Sequence, residues 1–297
     1  MTAAATILVT GARGQLGNEL AAALGGLGRV IALDRSALDL ADGDSLVRTV
    51  RAIAPALIVN AAAYTAVDRA ERERDVAFAV NSKAPALLAE EAKRRKALLI
   101  HYSTDYVFDG EQRTPYGEDA TPNPLNVYGE TKLAGERAIS AVGASAVVFR
   151  TSWVYSLRGS NFLLTIRRLA SERDELRIVA DQVGVPNWAR SLAAATATLV
   201  GRGIPYLAER AGLYNMSCSG HTTWYEFARA ITGECTKARI VPITTAEYPT
   251  PARRPPYGVL DTEKFERTFG LELPHWQTAL KCCVTSPDEP PLLRADT

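Results

Sequence analysis

The sequence predicts an α/β protein, a doubly wound parallel sheet followed by a smaller mixed α/β region toward the C-terminus. Three observations predict it. A short apolar run at residues 6–10 passes into a glycine-rich turn and then an Ala/Leu-rich helical pattern to about Leu24, which is how a βαβ unit opens. Short apolar runs then alternate with helix-length segments as far as residue 155, a rhythm that calls for crossovers and a parallel sheet. Beyond Tyr155 the rhythm loosens.

Taken in order, the first strand meets Gly11-Ala12-Arg13-Gly14-Gln15-Leu16-Gly17. At a first strand-to-helix junction, backbone amides at the helix N-terminus can cradle a pyrophosphate, so this is the expected dinucleotide loop, spaced G-x-x-G-x-x-G. The second strand, Val30 to Leu33, ends at Asp34, where an acid can hold the adenosine ribose; Arg35 follows, where a cation can accommodate a 2′-phosphate. NADH and NADPH therefore both remain open. Asp39 and Leu40 are candidates for the adenine edge. The third strand, Leu57 to Val59, runs into Asn60-Ala61-Ala62-Ala63, small residues that let a ligand approach a strand end. Asp68 to Glu71 and Ser82 to Lys96 read as helices.

The fourth strand, Leu98 to Tyr102, closes in Ser103-Thr104-Asp105-Tyr106, a hydroxyl and a carboxylate where a substrate carbonyl would be held. After a loop at 114–124 comes Asn126-Val127-Tyr128-Gly129-Glu130-Thr131-Lys132. One helical turn separates Tyr128 from Lys132, so phenol and ammonium share a face. A free phenol ionises near pH ~10 and a fixed positive charge lowers that value, which suits the pair to proton transfer. A fifth strand, Ala146 to Arg150, exits into Thr151-Ser152-Trp153, with Trp153 a platform for a ring.

In the second half, Asn161 to Leu169 reads as helix, Leu176 to Val179 as a short strand, 190–200 as a helix returning to the sheet and Leu213 to Met216 as a further strand. Thr223 is expected to cap a helix, with Glu226 completing a capping box. The Pro/Arg-rich stretch 249–260 offers Arg254 as a bidentate ligand for a diphosphate. The expected boundaries are a dinucleotide-binding Rossmann-type domain over 1–155 with a return near 190–216, a mainly substrate-binding region over 156–285, and a flexible tail over 286–297.

Composition narrows the partners. The 297 residues carry 34 Lys+Arg against 33 Asp+Glu, a net charge of +1, which argues against nucleic acid or an anionic membrane as ligand. No run approaches the ~20 apolar residues of a membrane span and the start lacks a basic flank, so a cytoplasmic protein is expected. Cys218, Cys235, Cys282 and Cys283 show neither metal-ligand spacing nor a disulfide framework, and His101, His221 and His275 are scattered. No metal is expected.

The glycine loop, Asn60-Ala61-Ala62-Ala63-Tyr64-Thr65-Ala66-Val67-Asp68, Ser103-Thr104-Asp105-Tyr106-Val107-Phe108-Asp109-Gly110, Tyr128-Gly129-Glu130-Thr131-Lys132 and Arg150-Thr151-Ser152-Trp153 together resemble the dTDP-4-dehydrorhamnose reductase family of extended short-chain dehydrogenases/reductases, over about residues 6–270. The resemblance implies NAD(P)H-dependent reduction of a dTDP-4-keto sugar for bacterial surface polysaccharide. It implies Tyr128 as proton donor, Lys132 holding the nicotinamide ribose and lowering the Tyr128 pKa, and Thr104 on the 4-keto oxygen. Asp105 and Trp153 would touch the sugar. Gly11, Gly14, Gln15, Leu16, Asp34, Asp39, Leu40, Ala61, Ala62, Ala63 and Tyr102 would line the cofactor, with Tyr128 and Lys132. The sequence departs from the family in Arg254-Pro255-Pro256-Tyr257-Gly258-Val259-Leu260 and in Gly184-Val185-Pro186-Asn187, both in the substrate half. Rival readings are a nucleotide-sugar epimerase or dehydratase, opposed by Tyr106 where a dehydratase carries glutamate, and a non-catalytic NADP-binding regulatory subunit. A homodimer is a candidate assembly.

Overall fold

The computed structural model describes residues 5–233 and 237–286. Strands β1 (Thr6–Thr10), β2 (Arg29–Leu33), β3 (Leu57–Asn60), β4 (Leu98–Thr104) and β5 (Ala146–Thr151) join Gly212–Asn215 in one parallel sheet. Its order is Gly212–Asn215, β5, β4, β3, β1, β2. The chain leaves β1 toward β2 on one side and resumes at β3 on the other, so the switch point lies between β1 and β3. Ligands bind such sheets there, outside the carboxyl ends of the strands.

The central strands are buried on both faces, which is why β3, β4 and β5 read as near-continuous apolar runs. On one face Ile7, Val9, Val59 and Ile100 pack against Leu16 and Leu20 of helix α1 (Gln15–Ala23) and Leu192 of helix Ala189–Gly201. On the other, Leu8, Ile58 and Leu99 pack against helix α2 (Gly43–Ile53), helix Ala84–Arg95 and helix Val127–Val142. Local chemistry sets the ends of these helices. Asp42 caps α2 by accepting from the Ser45 amide, and Asn126 caps Val127–Val142 by accepting from the Gly129 amide at 2.9 Å. Gly143, at φ +66°, closes the latter.

One helix departs from expectation. The segment read as a continuous helix from Ser82 opens instead with a π-helical turn, Ala79–Lys83, before Ala84–Arg95. Within that turn the Asn81 side chain accepts from the Tyr64 amide and donates to Thr131 Oγ1, tying three segments together.

The second half adds small paired strands. Glu175–Val179 pairs in parallel with Arg239–Ile243, and Val154–Tyr155 with Asn187–Trp188. Thr223 caps helix Trp224–Thr232 as expected, its hydroxyl accepting from the Glu226 amide, but the Glu226 carboxylate pairs with Arg229 instead of completing the capping box. Of the expected tail, 287–297 lies outside the described residues, as does Cys235, while Ser286 is buried.

Candidate active site

Close backbone packing shapes the mouth between β1 and β3. Gly11 sits at φ +73°, and a Cβ there would lie 2.8 Å from the Ala62 backbone; a Cβ on Gly17 would lie 2.1 Å from the Gly11 carbonyl. The glycines are thus required by contact as well as by conformation. The Gly14 amide donates to the Gly11 carbonyl at 2.8 Å, folding the loop over the start of α1. Gly14 gives α1 no side-chain cap. First-turn amides lack intrahelical partners, so this end is left to receive an anion. This helix end fits a dinucleotide pyrophosphate, and the Ala61–Ala62 backbone packs against the loop at Gly11.

At the adenosine end, Asp34 is already engaged. Its carboxylate accepts from the Ser36 amide at 2.9 Å and the Ser36 hydroxyl at 2.6 Å, and pairs with Arg13 at 2.7 Å. These hydrogen bonds, led by that from Ser36, hold it below the usual carboxylate range. Arg13 and Arg35 project into solvent beside it, so the site presents cations as well as an acid. Arg13 was not singled out from the sequence; its place in the glycine loop was the available signal. Asp39 pairs with Arg35 at 3.4 Å and accepts from the Ala41 amide. Leu40 is buried in the core beside Leu38 and Leu46, so it does not present an edge to adenine.

The hydroxyl, phenol and ammonium converge. Thr104 ends β4 in register with Thr151 of β5, and its side chain lies near enough to the Tyr128 phenol to act downward on its pKa. The Tyr128 helix can come this close because its next residue is glycine: a Cβ on Gly129 would lie 2.1 Å from the Tyr106 carbonyl. Glu71 accepts from the Val127 amide at 2.9 Å, anchoring the same turn. Lys132, only 2% exposed, donates to the Tyr102 carbonyl and meets His101 Nε2 at 3.2 Å. Burial brings its pKa down to about 8.

The pKa of Tyr128 corrects an expectation. Burial pushes the phenol up to about 12, with Thr104 acting downward and Asp105 upward. Lys132 does not lower it in this geometry, because its ammonium is turned to the Tyr102 carbonyl and His101. The phenol consequently holds its proton at neutral pH, as a proton donor must.

Other expected positions divide. Tyr102 contributes its carbonyl, but its ring is in the core, with its hydroxyl 2.6 Å from Thr196 Oγ1, so the side chain does not line a cofactor cleft. Asp105 is 2% exposed, accepts from Thr104 Oγ1 at 3.0 Å, and keeps its other oxygen unpartnered. Burial raises its pKa to about 7. Gly258 packs against this carboxylate: a Cβ there would lie 2.4 Å from Asp105 Oδ2. Trp153 adopts φ +42° and stacks on Trp224, ring centroids 3.5 Å apart. It is a platform already paired with a second indole, which the sequence did not reveal. Arg254 is held by Asp68 through bonds of 3.0 and 2.8 Å. No His/Cys/Asp/Glu cluster among the described residues has the arrangement of a metal site.

Comparison with known proteins decides the family. The model of the RmlD substrate binding domain matches residues 5–288. The dTDP-4-dehydrorhamnose reductase of Burkholderia thailandensis is 48% identical, over 94% of this chain and 97% of that protein. This chain belongs to the RmlD family. The family's dTDP-4-dehydrorhamnose reductase of Escherichia coli K12 is 45% identical over 93% of this chain and 95% of its own. An RmlD-family structure from Bacillus anthracis, a dTDP-4-dehydrorhamnose reductase in complex with NADP, superposes with a TM-score of 0.88 at 33% identity. That alignment covers 94% of this chain and 98% of the other. The sheet order and the glycine cradle described above are thus those of an RmlD-family chain, and an α/β Rossmann-like fold is the family's frame.

Proposed function

We propose that this chain is an NAD(P)H-dependent oxidoreductase that reduces the 4-keto group of dTDP-4-dehydro-L-rhamnose to give dTDP-L-rhamnose, a precursor of bacterial cell-surface polysaccharide. The observation that carries the reading is that Thr104 at the end of β4 acts on the Tyr128 phenol, with Lys132 one helical turn on and bonded to the β4 carbonyl of Tyr102, on the sheet whose first strand ends in the glycine cradle. When bound, the nicotinamide supplies the hydride. Tyr128 delivers the proton to the new alkoxide. Tyr128 holds its proton before the reaction begins, and the Thr104 hydroxyl, which rests on Asp105, turns to the same oxygen as charge grows there. Lys132 anchors the nicotinamide ribose and supplies the nearby positive charge. Asp105 and Trp153 contact the sugar, and Arg254 the diphosphate.

Arg13 and Arg35 beside Asp34 supply cations for a 2′-phosphate, which supports use of NADPH alongside NADH. Both proposed substrates are multiply charged and do not cross membranes unaided, so the reading places the enzyme in the cytoplasm.

The test is an absorbance assay with dTDP-4-keto-L-rhamnose and each reduced cofactor in turn. Stoichiometric oxidation of either cofactor is expected. Formation of a keto sugar from a dTDP-hexose with only catalytic NAD, and no consumption of reduced cofactor, would replace the reading with a dehydratase.

A further inference from the structure

Three adjacent strands place one polar residue each on the same row of the sheet. Thr10 of β1 is in register with Asn60 of β3, and Asn60 with His101 of β4. Two residues earlier, the row on the same face is Leu8, Ile58 and Leu99, all apolar. Thr10, Asn60 and His101 are 1%, 1% and 0% exposed. Apolar side chains would fill such positions without the cost of removing polar groups from water, so the row is polar at some expense.

Its groups are joined end to end. Thr10 Oγ1 donates to Asn60 Oδ1 at 2.7 Å, Asn60 Nδ2 is 3.0 Å from His101 Nδ1, and His101 Nε2 is 3.2 Å from Lys132 Nζ. Burial and the neighbouring ammonium hold the His101 pKa well below its usual value, so the ring is neutral and carries one proton.

That single proton links the ends of the row. With Asn60 Nδ2 donating to Nδ1, the ring proton is on Nε2 and faces Lys132. An ammonium has only donors to offer there, so this arrangement suits the neutral amine. If the Asn60 amide turns over, Oδ1 accepts from Nδ1–H and Nδ2 donates to Thr10 Oγ1, whose hydroxyl can act either way. Nε2 then presents a lone pair, and Lys132 is held as ammonium. In each arrangement Asn60, His101 and Lys132 keep a partner in the row, while Thr10 changes from donor to acceptor.

We propose that His101 is a positioning residue whose tautomer, held by Asn60 and Thr10, sets the charge of Lys132 and so the pH range over which Lys132 holds the nicotinamide ribose for turnover. The inference rests on the assignment of Lys132 above. The other groups bearing on this centre are Tyr128 and Glu136 on the lysine's own helix, Arg150 of β5 paired with Glu136 at 2.7 Å, and Asp105, which acts on Tyr128. Glu136 favours the ammonium, whereas burial opposes it, and the row decides between them.

Nitrogen NMR of the full-length protein labelled at histidine tests the tautomer without turnover, with only three histidines to assign. The expected result is a neutral His101 with its proton on Nδ1 below pH ~8, moving to Nε2 as pH rises through the Lys132 titration. In steady-state assays, His101→Phe removes the acceptor and is expected to move the basic limb of the pH profile down by about one unit, a tenfold change in proton affinity. His101→Gln, which offers a carbonyl acceptor, is expected to restore much of it. One tautomer from pH ~6 to ~10 together with a wild-type basic limb in both variants would overturn the inference. Where His101→Phe does not fold, the wild-type NMR and His101→Gln decide. Absence of turnover in the wild-type protein would count against the reductase reading, while the NMR result would still decide the tautomer.

Discussion

At the scale of single residues, the phenol and the carboxylate at the end of β4 have opposite tasks. Tyr128 must carry a proton at working pH, and its raised pKa of about 12 ensures that it does. Tyr128→Phe is expected to lower kcat by ~10²- to 10⁴-fold, the range of a lost general acid, with little change in affinity for the reduced cofactor. Single-turnover measurement of cofactor oxidation checks this, and an unchanged rate would move the acid elsewhere. Asp105 is instead a buried carboxyl whose folded pKa, about 7, lies above its usual value of 3.8 because of burial. The sign follows from linkage. The folded state binds this proton more tightly, so the contribution to stability is full below about pH 4 and is lost as pH rises through about 7. Asp105→Asn is expected to flatten that fall, leaving a protein more stable relative to wild type at pH ~8 than at pH ~5 in denaturant titrations. An equal effect at both pH values would show that the carboxyl titrates normally.

At the scale of elements, the Tyr128 helix is placed by what its glycine permits. With Tyr106 O only 2.1 Å from the position of a Cβ on Gly129, Gly129→Ala must push the helix off the turn after β4. Overpacking of this kind costs ~1–3 kcal/mol. The expected outcome is a folded protein of lower Tm, measured by thermal denaturation, with turnover reduced more than affinity for the reduced cofactor, because the phenol is displaced from Thr104. The five strands up to β5 and this helix start were legible in the sequence because their signals are local: continuous apolar runs, and an Asn one residue before the helix. The Thr10, Asn60 and His101 row was not legible. Its members are neighbours only through strand register, and His101 read alone as a scattered core histidine. Trp153 lies at a strand exit, as its sequence position implies, but its stack on Trp224 depends on a helix that starts 71 residues further along the chain. The π-helical turn was hidden because its cause, the side-chain bonds of Asn81 to Tyr64 and Thr131, is tertiary.

At the scale of the whole molecule, the stretch from Ala252 to Leu260 ties the second half of the chain to the sheet. The Ala252 amide and the Arg254 guanidinium both donate to Asp68, and Asn126, which caps the Tyr128 helix, donates to the Arg253 carbonyl. Further along, the Gly258 amide donates to the Val183 carbonyl, and the Tyr116 amide to the Val259 carbonyl. A group that binds the sugar nucleotide here acts on a segment that also fixes the catalytic helix. Arg254 stands at that junction. Its bond to Asp68 keeps the carboxylate below the usual range and the guanidinium charged. Charge-assisted hydrogen bonds contribute about 1.5–3 kcal/mol, so removing one from a bound diphosphate is expected to weaken binding by tenfold or more. Arg254→Gln should therefore raise KM for the dTDP-sugar about tenfold while leaving KM for the reduced cofactor near its wild-type value. Separate KM determinations distinguish the outcomes. If Arg254 served only to tie the segment to Asp68, the substitution would lower Tm and disturb both constants through the Asn126 cap, with no selective loss for the sugar nucleotide.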